Sequence, residues 1–210
     1  MSMPSARRGA RVTGLLLAAG QGRRMGTPKA LVEVEGQPLI QVAVTRMLAG
    51  GCADVLVVLG AEAEHVVRRV SPQAERWADR VDSTVCATWA QGMGESLRTG
   101  LAALAARGRQ CPNVVLVHLV DLPDVTDEVI NRVLEEAHGH STLARAAYQG
   151  SPGHPVLLGQ SHWQAVMDSA TGDRGARAYL RRADPTLVEC GDLATGRDVD
   201  TPDDLAPHQP

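Results

Sequence analysis

The chain contains no phenylalanine, and aromatic residues make up only 2% of its 210 positions. Its core must therefore be aliphatic, and stacking of bases on an aromatic platform is not expected to be its main business. Nor is there an excess of positive charge. With 21 basic and 24 acidic residues the net charge is −3, which argues against general affinity for nucleic acid. The four cysteines, Cys52, Cys86, Cys111 and Cys190, lie far apart and form no paired metal spacing, so buried free thiols in a reducing, cytoplasmic setting are expected. No stretch approaches the roughly 18 apolar residues of a membrane helix. Arg7, Arg8 and Arg11 precede a short apolar run, but two further arginines follow it without a cleavage site. Residues 1–11 are therefore read as a disordered basic tail rather than an export signal. Neither a linker-like stretch nor an internal repeat is present, which points to one domain over residues 12–206 and a short tail at 207–210.

What the chain does have is an alternation of apolar strand-like runs and helical patterns, the mark of an α/β sheet sandwich. Strands are expected at Val12–Leu17, Val55–Leu59, Val81–Ala87 and Val114–Val120. Pro38 suits a first helical position, and Leu39, Ile40, Ala43, Val44, Met47 and Leu48 follow at helical spacing until Gly50-Gly51 ends the run. Ala61–Val70 and the segment through Leu97, Leu101 and Leu104 read as further helices, and Thr126 as a cap for another. The last third changes character. Thr142–Ala147 and His154–Leu158 flank the turn Gly150-Ser151-Pro152-Gly153, so antiparallel pairing is expected there. Helices at Ser161–Ser169 and Asp173–Ala183 and a short strand at Thr186–Cys190 complete the pattern.

The stretch from Val12 to Lys29 is the most telling. An apolar run stops at Ala19, a turn with Gly20, Gly22 and Gly26 follows, and Arg23, Arg24 and Lys29 bring three cations to it. Glycine lets the backbone bend sharply and expose its N–H groups to an anion. Basic side chains on the same turn complete a site for several negative charges, as a triphosphate has. The P-loop pattern is excluded, because no Gly-Lys pair exists in the chain. The dinucleotide fingerprint fails as well, since Met25 occupies its third glycine position and the second strand ends in Gly60-Ala61 without the acidic ribose partner.

Four further elements carry polar chemistry. Asp121 falls at the carboxyl end of a buried strand, where open α/β sheets place their ligand crevices. A carboxylate there can hold Mg²⁺, and it can equally be a turn aspartate. Asp198 and Asp200 lie two apart, so an extended segment turns both the same way, while Asp203 and Asp204 suit the first turn of a short helix opened by Thr201-Pro202. Gly92-Met93-Gly94-Glu95-Ser96 opens a helix with small residues that let a planar base approach, with Ser96 as a hydrogen-bond partner. His154, Arg174 and Arg177 offer polar and forked cationic groups in the last third, where a strand-start histidine and exposed helix arginines fit equally. His118 reads as a satisfied core histidine, and His138-Gly139-His140 as a helix end rather than a metal site.

In order, Leu17-Ala18-Ala19-Gly20, Arg24-Met25-Gly26, Lys29, Asp121-Leu122-Pro123 and Asp200-Thr201-Pro202 resemble the signature of MobA-like nucleotidyltransferases. The first tetrapeptide looks like the molybdenum cofactor cytidylyltransferase version, because the guanylyltransferases usually carry a second glycine where Ala19 stands. The resemblance implies a Rossmann-like three-layer α/β sandwich with a mixed, mainly parallel sheet, as in nucleotide-sugar transferases. It implies catalytic roles for Lys29, Arg24 and Asp121, and Mg²⁺ bound by Asp121 and Asp200. Nucleotide contacts are implied at Leu17, Ala18, Ala19, Gly20 and Gly22, at Arg24, Met25, Gly26 and Lys29, and at Gly92, Met93 and Ser96. His154, Arg174 and Arg177 would face a phosphorylated acceptor. The implied partners are CTP, molybdopterin and a molybdenum hydroxylase apoenzyme, with no nucleic acid and no membrane. GTP, another small phosphate or sugar-phosphate acceptor, or a non-catalytic role in nucleotide binding or cofactor delivery are the alternatives. Glu95 adds a charge whose direction the sequence leaves open.

Overall fold

The computed structural model describes residues 11–74, 77 and 79–208. The basic tail expected at the N-terminus lies outside them apart from Arg11, as do residues 209 and 210. In chain order the elements are β1 (Val12–Ala18), the ribbon β2 (Glu33–Val34) and β3 (Gln37–Pro38), α1 (Leu39–Ala49), β4 (Asp54–Leu59) and α2 (Ala63–Ala74). Next come β5 (Val81–Val85), α3 (Met93–Ala105), β6 (Val114–Leu119) and α4 (Asp127–Leu134). The last third holds β7 (Leu143–Tyr148), β8 (Ser151–Gly159), α5 (Gln160–Ser169), α6 (Arg177–Ala183) and β9 (Thr186–Glu189).

Seven strands form one sheet in the order β5-β4-β1-β6-β8-β7-β9. β1 pairs in parallel with β4 on one side and β6 on the other, while β8 runs antiparallel to both β6 and β7. The sheet is thus mixed and mainly parallel, with β8 as its one reversed strand, as the α/β pattern predicts. The reversal has a local cause: the short turn at Gln149-Gly150 joins β7 and β8 as a hairpin, whereas parallel neighbours need a crossover.

Both faces of the central strands are covered, so β1 and β6 are near-continuous apolar runs. Leu16 and Leu116 pack into the cluster that includes Val44 of α1 and Ile130 of α4. Leu15 and Val117 join Leu101 of α3 and Val166 of α5 on the opposite face. Each such side chain contributes about 1.5–3 kcal/mol through burial, which makes the central sheet a rigid support for whatever its strand ends carry. β1 lies where connections depart in opposite directions, and the crevice at the carboxyl ends of β1 and β6 is where a ligand is expected.

Several local expectations need correction. Pro38 ends the β2–β3 ribbon, whose Glu35-Gly36 turn has φ 52 and 73, and α1 begins one residue later. The helix expected over Asp173–Ala183 does not begin at Asp173. A separate 3-10 turn spans Gly172–Arg174, Gly175 adopts φ 48, and the helix starts only at Arg177. Thr126 stands at the N-cap of α4, yet its buried hydroxyl has no hydrogen-bond partner among the described residues. Of the four free thiols, Cys52, Cys86 and Cys190 are buried, while Cys111 is half-buried. No helix among the described residues is long and apolar enough to cross a membrane.

Candidate active site

A cavity of about 990 Å³ opens at the carboxyl ends of β1 and β6. Its first wall is the glycine-rich turn. Gly22 has φ +61, and a Cβ there would lie 2.0 Å from the Thr27 carbonyl oxygen. Only glycine combines that dihedral with such an approach. Met25 N–H donates to Gly22 O at 2.8 Å and Lys29 N–H to Gly20 O at 3.3 Å, which folds the turn back so that Lys29 re-enters the crevice. Leu17, Ala19, Gly20, Gly22, Arg24 and Lys29 line the cavity. Ala18, Met25 and Gly26 do not. Ala18 is in the core, and half-buried Met25 packs against that core, anchoring the turn from beneath.

At the base of the crevice lies a knot of charge. Lys29 Nζ donates to Asp121 Oδ2 at 2.6 Å and also to Asp200 Oδ1. Arg24, exposed on the turn, approaches Asp200 Oδ2 at 3.7 Å. Asp198 completes the group: one carboxylate oxygen each from Asp121, Asp198 and Asp200 lies within 4.8 Å of the others. Burial depresses the Lys29 ammonium, but Asp121 and Asp200 outweigh it and raise its pKa above the ordinary value. Lys29 is also the chain's single lysine, against twenty arginines. An ammonium is a compact point charge that fits between two carboxylates, whereas a guanidinium is a broad planar fork. Three carboxylates around one ammonium leave negative charge in excess. Hard oxygen donors so grouped suit a hard divalent cation.

Backbone and side chains pin this knot from three directions. Val199 N–H donates to the Asp121 carbonyl at 2.9 Å, laying the C-terminal segment beside the end of β6. Asp124 Oδ2 accepts from Thr195 N–H at 2.7 Å and Gly196 N–H at 3.1 Å. Arg46 of α1 donates to the carbonyls of Pro123 and Val125, fixing the loop that carries Asp121. Asp204 accepts from the N–H groups of Asp200 and Thr201 and from the Thr201 hydroxyl, so it organises the turn, as its position predicts.

The second wall is the start of α3. Gly92, Met93, Ser96 and Trp89 line the cavity there. Gly92 has φ +115, and a Cβ on it would meet the Gly172 carbonyl carbon at 2.4 Å. The turn at Gly92 and the Gly172–Arg174 segment are therefore packed backbone to backbone. Glu95 accepts from Thr88 Oγ1 at 3.1 Å and pairs with Arg98, so its charge is spent on the turn itself. Sequence reasoning missed Trp89. The scarcity of aromatics directed attention away from the one tryptophan just before this glycine turn.

On the far side lie Arg145, His154, Arg174, Arg177 and Arg181. The His154 ring hydrogen-bonds the Val117 backbone, and its Nδ1 is buried with no partner among the described residues. Burial, with help from Arg145 and Arg177, lowers its pKa to about 4, so the imidazole is neutral at physiological pH. His118 is buried on β6, and its pKa is lowered to about 3, first by burial. It is a core histidine, but not a satisfied one, since its Nδ1 has no partner among the described residues. His138 approaches Glu136 at 3.6 Å, and the pair His138–His140 belongs to no potential metal group among the described residues.

The family model of the MobA-like NTP transferase domain matches residues 14–187. The chain belongs to this family. Its reaction class is accordingly nucleotidyl transfer. Nicotine blue oxidoreductase of Paenarthrobacter nicotinovorans is 38% identical to this MobA-like chain over 200 residues, covering 90% of it and 92% of that protein. Purine catabolism protein PucB of Bacillus subtilis is 25% identical over 195 residues, with 91% and 92% covered. A nucleotidyl transferase from Methanothermobacter thermautotroptrophicus superposes with a TM-score of 0.73 at 21% identity, covering 92% and 93% of the two chains. A Mycobacterium tuberculosis protein solved in complex with manganese, Rv0371C, superposes at 0.67 with 22% identity, covering 92% and 95%. These structural likenesses establish the fold of this MobA-like domain.

Proposed function

We propose that this MobA-like transferase joins the nucleoside monophosphate of CTP to a phosphorylated acceptor, molybdopterin or its molybdenum form, and releases pyrophosphate. The observation that carries the reading is the single lysine held between Asp121 and Asp200, beside a glycine turn on one wall and arginines on the other. The turn from Ala19 to Gly26 receives the triphosphate, with Lys29 and Arg24 at its oxygens. Gly92, Met93 and Ser96 face the base. Asp121 and Asp200 hold Mg²⁺, with Asp198 in support. When bound, the ion would neutralise phosphate charge and ease departure of pyrophosphate. Acceptor phosphate is already anionic at neutral pH, so its attack in line on the α-phosphorus needs no side-chain base. Rate then rests on positioning and on fixed positive charge. Neutral His154 is consistent with a hydrogen-bonding rather than proton-abstracting role. A molybdenum hydroxylase apoenzyme would be the recipient of the product, and Ala19 is the residue that favours cytidine.

A second reading takes its support from the name of the Paenarthrobacter relative, an oxidoreductase of nicotine blue. Against it stand Met25 in the third glycine position of the dinucleotide pattern and the Gly60-Ala61 ending of β4. One experiment separates the two. Pyrophosphate release is measured with CTP, GTP and ATP against molybdopterin and other phosphate esters, alongside NADH and NADPH consumption with nicotine blue. Release with CTP and molybdopterin supports the proposal. Tight nucleotide binding without release makes the chain a binding module, and reduced-cofactor consumption without release favours the oxidoreductase.

A further inference from the structure

The two carboxylates that join Asp121 in the acidic group ride on a segment without regular structure. From Cys190 to Thr201 the chain forms neither helix nor strand, and Asp198 and Asp200 lie near the end of this strap. No ladder holds it, so its place depends on single bonds from its neighbours. Asp124, three residues past Asp121, gathers several of them on one oxygen. Its Oδ2 accepts from Thr195 N–H at 2.7 Å, from the Thr195 hydroxyl and from Gly196 N–H at 3.1 Å. Further on, Val199 N–H donates to the Asp121 carbonyl at 2.9 Å. The loop carrying Asp121 and the strap carrying Asp198 and Asp200 are thus joined twice, at Thr195-Gly196 and at Val199. A second support is the buried Tyr148 ring. A Cβ on Gly196 would lie 2.2 Å from its Cε2, and one on Gly153 2.7 Å from the same atom, so the ring is gripped between two backbones. Its hydroxyl donates to the His154 carbonyl at 2.6 Å, which fixes it there.

Asp124 does not reach the acidic group itself. Its Oδ2 is taken by the strap, and its Oδ1 is buried with no partner among the described residues. Arg46 fixes it from behind through the flanking carbonyls of Pro123 and Val125. We infer that Asp124 is a positioning residue: with Tyr148 as backstop, it sets Asp198 and Asp200 against Asp121 and thereby sets the affinity for a divalent cation without touching the ion. The role requires an oxygen at the right place to hold two backbone N–H groups, not a charge near the site. Without that oxygen the cation must order the strap itself, and the cost of ordering comes out of its affinity. This rests on the metal role proposed for Asp121 and Asp200, but cation binding is measured without turnover.

The test uses the full chain and Mn²⁺ alone as probe, a cation that shares the oxygen ligands of Mg²⁺, with the free ion read by electron paramagnetic resonance. Asp124→Ala should weaken binding by about tenfold or more, the scale of losing a partner behind a metal ligand. Two conservative variants separate geometry from charge. Asp124→Asn loses the charge but keeps an oxygen for the two N–H groups, and its affinity should stay within about threefold of the native chain. Asp124→Glu keeps the charge but shifts the oxygens by a methylene, and should bind as weakly as Asp124→Ala. Gly196→Ala, which pushes the strap off Tyr148, should also weaken binding. In Mg²⁺-dependent pyrophosphate release, Asp124→Ala should raise the Mg²⁺ concentration for half-maximal rate far more than it lowers the rate at saturation. If circular dichroism shows Asp124→Ala or Gly196→Ala unfolded, the Asn and Glu pair carries the test. Native affinity in Asp124→Glu, or Asp124→Asn binding as weakly as Asp124→Glu, overturns the inference. The expected order of Mn²⁺ affinities in a chain that releases no pyrophosphate would sink the transferase proposal alone. A native chain that binds no Mn²⁺ overturns this inference together with the metal role of Asp121 and Asp200.

Discussion

Replacing Lys29 by methionine should weaken the metal-free fold and make its recovery depend on a divalent cation. The exchange keeps the unbranched stem but removes the charge between Asp121 and Asp200. Three carboxylates then face one another with donor oxygens within 4.8 Å. Two unit charges at that separation repel by about 3.5 kcal/mol at an effective dielectric constant of about 20. Asp200 is 42% exposed, and solvent screening reduces its share. Counting the two lost charge-assisted bonds with that discount, we expect a loss of about 3 kcal/mol. For a chain of this size that lowers the melting temperature by about 6–12 °C. Mg²⁺ at a hundredfold excess over its dissociation constant returns about 2.7 kcal/mol, so the melting curve should recover most of the way. In the native chain the same Mg²⁺ must enter a cluster already partly neutralised, and its effect should be less than half as large. Thermal melts of both proteins with and without Mg²⁺, followed by circular dichroism, decide the matter. An unchanged melting temperature in the variant, or equal Mg²⁺ shifts in both proteins, would refute the electrostatic reasoning.

Asp121→Asn should cut Mg²⁺-dependent pyrophosphate release by at least about a hundredfold while leaving the far-ultraviolet spectrum unchanged; full activity would remove this residue from the metal. Gly22→Ala should abolish nucleotide binding in a calorimetric titration and cost at least about 1 kcal/mol of stability, because the new Cβ would lie 2.0 Å from Thr27 O at φ +61. Wild-type nucleotide affinity in that variant would show that the turn is not the cradle. His118 stays neutral in the fold, with its pKa lowered to about 3, but takes up a proton near 6.5 when unfolded. Its contribution is therefore complete above about pH 6.5 and is lost as pH falls toward 3. Melts between pH 7.5 and 4 should decline less steeply in His118→Gln than in the native chain, and parallel curves would contradict this.

Much of the sheet could be read from the sequence because its strands are buried on both faces. The run from Val114 to Val120 admits no other reading, and the observed β6 spans Val114–Leu119. The hairpin around Gly150 was legible as antiparallel pairing, since turn residues stand between two apolar runs, but its turn is only Gln149-Gly150 and the expected turn residues Ser151, Pro152 and Gly153 open β8. Where local signals failed, tertiary packing had overridden them. Asp173 is a good helix cap in isolation, but the segment around it is pressed against Gly92 and turns on Gly172 and Gly175 instead. The site divides in the same way. Lys29, Asp121 and Asp200 come from three distant segments, and their order in a family pattern suggested the meeting that the fold brings about. Arg145 carried no signal of its own. A lone arginine in Leu-Ala-Arg-Ala-Ala looks like a strand's solvent face, and only the β7–β8 register turns it toward the cavity. Glu95 was ambiguous because its partners, Thr88 and Arg98, are apparent only once the turn is folded.

The central claim is that this chain moves a nucleoside monophosphate. It is tested most directly by incubating the protein with Mg²⁺, molybdopterin and CTP labelled at the α-phosphorus. The account predicts label in a molybdopterin–cytidine product, one pyrophosphate released for each label transferred, and neither in Asp121→Asn. Persistent labelled CTP with no pyrophosphate, under conditions where the protein consumes NADH or NADPH to reduce nicotine blue, would contradict it.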